Sequence, residues 1–202
     1  GSGRVVQSTA VILACPAWEA ARLLAGMRDL AGDGPDGVAL WIEQARALTH
    51  TPIATVYLDP PAGWRWPAAT PMLALRSDGR GSPAQFVFRR AVQKDGWDGL
   101  AVVASAPDPA LAANRSALTE AVQAQAASAL GLHGGAVRQT VVEKRATFAC
   151  TPGLRRPAAR IADGLVAAGD YVTGPYPATL EGAVRSGLAA VAALTPAPSL
   201  RP

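Results

Sequence analysis

Only two cysteines and two histidines occur in 202 residues. Cys15 and Cys150 lie far apart beside apolar runs and lack C-x-x-C spacing. They exclude a disulfide framework and read as buried thiols of a reducing compartment. His50 precedes a strand-like run and His133 follows a helix end, so both read as loop residues. Without a G-x-S-x-G elbow they complete no Ser-His-Asp set, and with two remote cysteines they are too few to hold a metal. Aromatic residues are 5% and charged residues 17% of the chain. The net charge of +4 comes from scattered arginines. Their densest cluster, Arg155, Arg156 and Arg160, is interrupted by proline and reads as a solvated loop. A nucleic-acid surface needs a longer basic stripe with stacking aromatics, so no nucleic-acid partner is expected. No run reaches the roughly 18 apolar residues of a membrane span. No leader is evident: Gly1-Ser2-Gly3 reads as a cloning remnant, and the chain then enters "RVVQSTAVILAC" as if cut from something longer.

What is present is globular: 50% apolar residues, with 20 glycines and 17 prolines to make loops. Val11–Cys15 reads as a short strand, followed by a helix with Pro16 as its first residue and Gly26 as its C-cap. Residues 38–48 read as a second helix and 52–58 as a strand. Further strands are expected at 71–75, 84–91 and 99–106, the last two joined by a turn at Lys94-Asp95-Gly96. Asn114 should cap a helix that passes Leu118 and Val122 and stops at Gly131. Residues 136–148 alternate as a strand does, and 164–170 form a short buried strand. The last helix, 179–194, carries one apolar face of Leu180, Ala183, Val184, Gly187, Leu188 and Val191. The tail from Thr195 is proline-rich. The expected fold class is α+β, a mixed sheet with flanking helices.

Two motifs suggest ligands. "GDGPDG" places Gly32, Gly34 and Gly37 in a G-x-G-x-x-G pattern, with Asp59 some twenty residues on. A dinucleotide site needs a strand before the first glycine, and here the preceding run is helical, so an interhelical loop is favoured. The second motif is "AAGDYVTGPYPATLEGAVRSGLAAV". A strand ending in Gly169-Asp170 allows close backbone approach and offers a carboxylate to hydroxyl groups. The helix opening near Thr179 offers unpaired amides and partial positive charge. Together they suit a ligand with polyol and anionic parts. Equally, Asp170 caps a turn and Gly182 and Gly187 serve tight packing.

That segment, with Ala168-Gly169-Asp170 followed by Glu181-Gly182-Ala183-Val184-Arg185-Ser186-Gly187, resembles the C-terminal flavin-binding segment of the amine oxidase/phytoene desaturase superfamily. "EKRATFACTPGLRRP", "VILACPAWEAARLL" and "TPIATVYL" are similar to its squalene-associated branch, the hydroxysqualene dehydroxylases of hopanoid biosynthesis. The resemblance covers most of the chain and is weakest at 28–48 and 60–83. It implies an FAD-dependent oxidoreductase that removes the hydroxyl of hydroxysqualene reductively to give squalene. Carotenoid-type desaturation and amine oxidation share the scaffold, and a non-catalytic binding domain is the reading from another class. The implied FAD-binding Rossmann-like domain is made of two chain parts, the N-terminal one absent here. The implied division is 1–15 the remnant and last strand of the truncated FAD domain, 16–150 the substrate-binding domain, 151–195 the C-terminal FAD segment and 196–202 the tail. FAD would meet Gly169 and Asp170 at its ribityl-pyrophosphate part and Ala178, Thr179, Leu180 and Glu181 at the ring. Glu181 has a second reading as a capping residue. Lys144, Arg145, Thr147 and Phe148 would face the ring. Arg145 is the one candidate catalytic contact, with a sheet-edge arginine the competing reading. An apolar tunnel for the isoprenoid would be lined by Phe86, Phe88, Trp97 and Val102. The expected location is cytoplasmic; the basic composition and apolar substrate are compatible with peripheral membrane contact. A fragment lacking half the site should hold FAD poorly.

Overall fold

The computed structural model describes residues 3, 5–27, 35–90 and 97–194. Two compact units emerge, one made of residues 1–49 and 148–202, the other of residues 50–147. This division differs from the expected one: residues 16–49 pack with the C-terminal segment. The reason is burial. Leu24, Trp41 and Leu48 share one core with Phe148, Ile161 and Tyr171.

In the first unit, β1 (Val11–Leu13) pairs in parallel with β8 (Leu165–Ala167), and β7 (Arg160–Ala162) pairs antiparallel to β8. The β7–β8 turn uses Gly164 at φ +69°, where an added Cβ would lie 2.9 Å from the Thr9 carbonyl oxygen. Helix α1 (Ala17–Ala25) begins one residue after Pro16, which takes the N-cap position. The Pro16 carbonyl accepts from the amides of Glu19 and Ala20 at 2.9 and 3.0 Å. Ala17, Ala20, Ala21 and Leu24 form its buried stripe. Helix α2 (Pro35–Ala47) buries Trp41, whose indole N–H donates to the Ala158 carbonyl at 2.7 Å. Gly37 therefore belongs to a helix, while Gly32 and Gly34 lie outside the described residues. The unit ends with α5 (Leu180–Leu194).

The second unit has a five-stranded sheet, ordered β3 (Met72–Ala74), β4 (Phe86–Arg90), β5 (Gly99–Ser105), β2 (His50–Asp59), β6 (Ala136–Phe148). Phe148, the last residue of β6, packs in the first unit. The expected turn at Lys94–Gly96 lies outside the described residues. Alternation splits the sheet into two faces. Val56, Leu58, Val87, Leu100 and Val102 share a core with Leu118, Val122 and Ala126 of α4 (Arg115–Leu130). Asn114 caps α4 by accepting from the Ala117 amide, and Gly131 ends it in the left-handed region, as its sequence predicts. The short α3 (Pro109–Ala113) was hidden from periodicity; Asp108 caps it and Pro109 sits at its start. Gln125, the buried polar residue of this core, is fully used. It accepts from the Ala84 amide at 2.8 Å and donates to the Arg76 and Ala84 carbonyls at 2.7 and 2.9 Å.

Candidate cofactor site

The strand β8 runs out at Ala167, and the next residues turn sharply. An added Cβ on Gly169 would lie 2.4 Å from the Tyr171 ring, so only glycine lets that ring fold back here. The Gly169 amide donates to Ser186 Oγ at 2.8 Å, and Ser186 Oγ donates to the Ala183 carbonyl at 2.8 Å. One serine hydroxyl thus ties the strand end to the second turn of α5. The helix comes this close because Gly182, Ser186 and Ala190 are small and fall on one side of it. Gly182 and Ala190 are buried, and Ala190 packs with Val166 and Ala168. An added Cβ on Gly182 would lie 2.2 Å from the Tyr176 carbonyl oxygen.

This buried stripe is not the apolar face that periodicity picks out. Leu180, Val184, Leu188 and Val191 are 88%, 61%, 69% and 55% exposed. Helical spacing identifies a stripe but not what covers it. Small residues, with little hydrophobic signal, decide which side meets the sheet.

The connecting loop is strained. Tyr176 and Ala178 both adopt φ of +56°, a region costly for residues with a Cβ, and such residues concentrate at functional sites. Arg156 holds the loop's start. Its guanidinium donates to the Val172 carbonyl at 2.8 Å and to the Gly174 carbonyl, and Thr173 Oγ1 donates to the Arg156 carbonyl at 2.9 Å. The arginine cluster is thus partly a clamp and not merely a solvated loop. Thr179 closes the far end: its hydroxyl donates to the Tyr176 carbonyl at 2.7 Å and accepts from the Gly182 amide at 3.0 Å. Thr179 is therefore the N-cap, and Glu181 is not a capping-box partner. Glu181 Oε1 instead accepts from Arg185 Nε at 2.5 Å, one helical turn on. The Arg185 guanidinium also stacks 5.0 Å from the Tyr176 ring centroid.

The strand end, the loop and the helix start border a groove of about 390 Å³ whose walls include Asp170, Gly174, Gly182, Arg185 and Ser186. Of the residues singled out in the sequence, Asp170 lines it directly and Gly169 is pinned behind it. Ala178 is tied to Asp170 by a long amide–carbonyl contact of 3.4 Å. Thr179, Leu180 and Glu181 form the exposed helix start beyond. Sequence reasoning missed Ser186, Arg185 and Arg156. The Ser-Gly pair of the motif was the available signal for the first. Beside Asp170, the Tyr171 hydroxyl is buried without a hydrogen-bond partner among the described residues. Burial pushes its pKa up, with the charges of Cys15 and Asp170 adding to the effect.

The remaining candidates are not among the residues that line this groove. Arg145 and Lys144 are exposed on β6 in the second unit, where the Arg145 amide donates to Glu143 Oε1 at 3.0 Å. Thr147 Oγ1 lies 3.0 Å from Thr51 Oγ1, and Phe148 is buried in the first unit's core. Asp59 ends β2 and accepts from Trp97 and Arg138, so it is engaged in a side-chain cluster. Phe86 and Phe88 stand 40% and 37% exposed on the sheet face away from α4. Val102 is fully buried on the α4 face and cannot share a tunnel with them, because pleating sends alternate residues to opposite sides. Cys15 is half-buried and Cys150 exposed, which corrects the expectation that both are buried. Among the described residues, no helix is long and apolar enough to cross a membrane.

Comparison with known proteins agrees with the flavin-segment resemblance at the level of the family. No curated protein matches the sequence. An oxidoreductase from Methanosarcina mazei has the same fold, with a TM-score of 0.66 at 14% identity. The match covers 95% of this chain but only 44% of that one, so this chain spans less than half of its structural relative. A reduced UDP-galactopyranose mutase is more distant, with a TM-score of 0.47 at 18% identity over 70% of this chain and 29% of its own. The family profile of flavin-containing amine oxidoreductases matches residues 1–195. The chain belongs to the flavin-containing amine oxidoreductase family.

Proposed function

We propose that this chain is the C-terminal part of an FAD-dependent oxidoreductase acting on a long apolar isoprenoid, and that the reaction is reductive removal of the hydroxyl of hydroxysqualene to give squalene. The observation that carries the cofactor half is the groove at the end of β8. Asp170 brings a carboxylate that accepts from hydroxyls, Arg185 brings a cation that suits phosphate, and Ser186 holds the strand end between them. These groups fit part of FAD, its polyol and phosphate region. The first-turn amides of α5 suit negative charge on the ring. A second, N-terminal part of the FAD domain would supply the rest. In support, the structural relative is more than twice as long as this chain. The apolar stripe of α5 and the exposed Val11 and Ile12 of β1 would be covered by that part.

When bound and reduced by an external two-electron donor, FAD would supply hydride chemistry here. In the proposed reaction a C–O bond breaks, hydride takes its place on carbon, and the hydroxyl leaves with a proton as water. The chain's own residues would bind and orient: Asp170 and Arg185 would hold the cofactor's polar part. The open sheet face with Met72, Phe86 and Phe88 offers the isoprenoid an apolar bed. Amine oxidation is disfavoured by the Tyr57–Trp97 pair on that face. Tyr57 and Trp97 meet edge-on at 64°, and the guanidinium carbons of Arg90 and Arg138 lie 5.6 and 5.1 Å from the indole centroid, where they would repel an ammonium. Desaturation of a carotenoid-like chain would use the same bed.

The test is a visible absorption spectrum of the protein with its natural upstream sequence restored, repeated on Asp170→Ala. The expected result is a flavin spectrum that weakens in the variant, and squalene formed from hydroxysqualene by the reduced enzyme. A colourless protein that takes up no added FAD would refute the cofactor reading. A yellow protein inert toward hydroxysqualene would refute the substrate.

A further inference from the structure

The apolar bed of the second unit does not run on indefinitely; at one end it stops against a cationic cluster. Phe86, Phe88 and Arg90 alternate along β4 and so share the open face, spanning about 13 Å at the usual rise of a strand. The register places Phe88 opposite Ala101, which in turn lies opposite Tyr57, and Arg90 opposite Gly99. Gly99 is bare because Trp97 covers it: an added Cβ would lie 2.0 Å from the indole. The Trp97 N–H donates to Asp59 Oδ1 at 2.6 Å, which fixes the ring. Arg138 Nε donates to the same carboxylate at 3.1 Å, and both Arg138 and Arg90 stack on the indole.

Asp59, the carboxylate at this indole, is taken up by Trp97 and Arg138. Among the described residues Arg90 has the indole but no carboxylate. Its neighbour Arg89 points to the other face and is matched with Asp98 at 3.1 Å. A half-buried guanidinium without a carboxylate among the described residues, at the end of an exposed apolar strip, matches a molecule with an apolar chain and an anionic oxygen group at one end.

Resting on the reading that the open face carries the apolar ligand, we infer that Arg90, with Arg138 and the Trp97 indole, anchors the anionic head of an amphiphile whose chain lies over Phe88 and Phe86. The head is a phosphate or a carboxylate; both present oxygens to a planar guanidinium. The site would set the ligand's direction on the sheet, since Arg90 and Arg138 gather on one indole at the Phe88 end of the strip.

The experiment measures binding of dodecyl phosphate, dodecanoate, dodecanol and dodecyltrimethylammonium to the full-length protein by calorimetry, each below its micelle concentration. An anionic head should bind on the order of tenfold tighter than the alcohol, with the ammonium weakest. The stronger of the phosphate and carboxylate arms identifies the head. Arg90→Gln should abolish the anionic preference and leave dodecanol binding unchanged, while Phe88→Ser should weaken all four. Equal affinity for alcohol and anions, or a preference that survives Arg90→Gln, would overturn the anchor and leave the apolar bed standing. No binding of any chain, or binding indifferent to Phe88→Ser, would overturn the bed together with the anchor.

Discussion

Replacing Gly182 by alanine sets two opposed effects against each other. In a helix interior, alanine is favoured over glycine by about 1 kcal/mol because it restricts the unfolded chain. Against this, the new methyl would lie 2.2 Å from the Tyr176 carbonyl oxygen. That atom is backbone, and it also accepts the Thr179 hydroxyl that caps the helix. Moving it costs the overpacking penalty of about 1–3 kcal/mol and endangers a cap of about 1 kcal/mol. The clash wins, with a net loss of about 2 kcal/mol. For a chain of this size the thermal midpoint should fall by roughly 4–8 °C. Gly187 is the internal control. It lies on the same helix with nothing within 4 Å of an added Cβ, so Gly187→Ala should raise the midpoint by about 2–4 °C. Far-UV circular dichroism melts of both variants of this chain read the difference. Equal shifts, or a stabilised Gly182→Ala, would refute the claim that glycine is there for close approach.

Arg156→Ala should free the carbonyls of Val172 and Gly174 at a cost of about 1.5–3 kcal/mol and raise hydrogen exchange across residues 172–176. Arg156→Lys should not restore protection, because one ammonium lacks the fork that spans two carbonyls. Asp59 has its carboxyl held below its ordinary pKa, first by the Trp97 N–H and then by Arg138. A depressed carboxylate contributes stability above its unfolded value and loses it as pH falls through the folded one, so stability should drop below about pH 3.8. Asp59→Asn should flatten that part of the acid unfolding curve; an unchanged slope would show that the cluster is not coupled to folding.

Helix α4 shows how much local signals carry. Asn114, the apolar spacing from Leu118 to Leu130 and Gly131 state its start, face and stop, and each acts within a few residues. Strands β2, β4, β5 and β6 were likewise legible from alternation and β-branched content. The strand-end Gly169-Asp170 and the helix start at Thr179 were legible as a ligand motif because close approach and free amides need particular residues at set spacing. Short β7 and α3 were not, since three to five residues hold too little periodicity.

By itself, then, the sequence determined the longer elements, the family resemblance and the position of Asp170, all of which depend on neighbours along the chain. Only the tertiary structure decided which faces those elements turn inward. It put the bulky stripe of α5 outward and the stripe of Gly182, Ser186 and Ala190 inward. It set Val102 on the opposite side of the sheet from Phe86 and Phe88, and it gathered Asp59, Arg90, Trp97 and Arg138 around one indole. These choices depend on what lies across from each residue in space, and close packing selects for fit between surfaces that are remote in sequence.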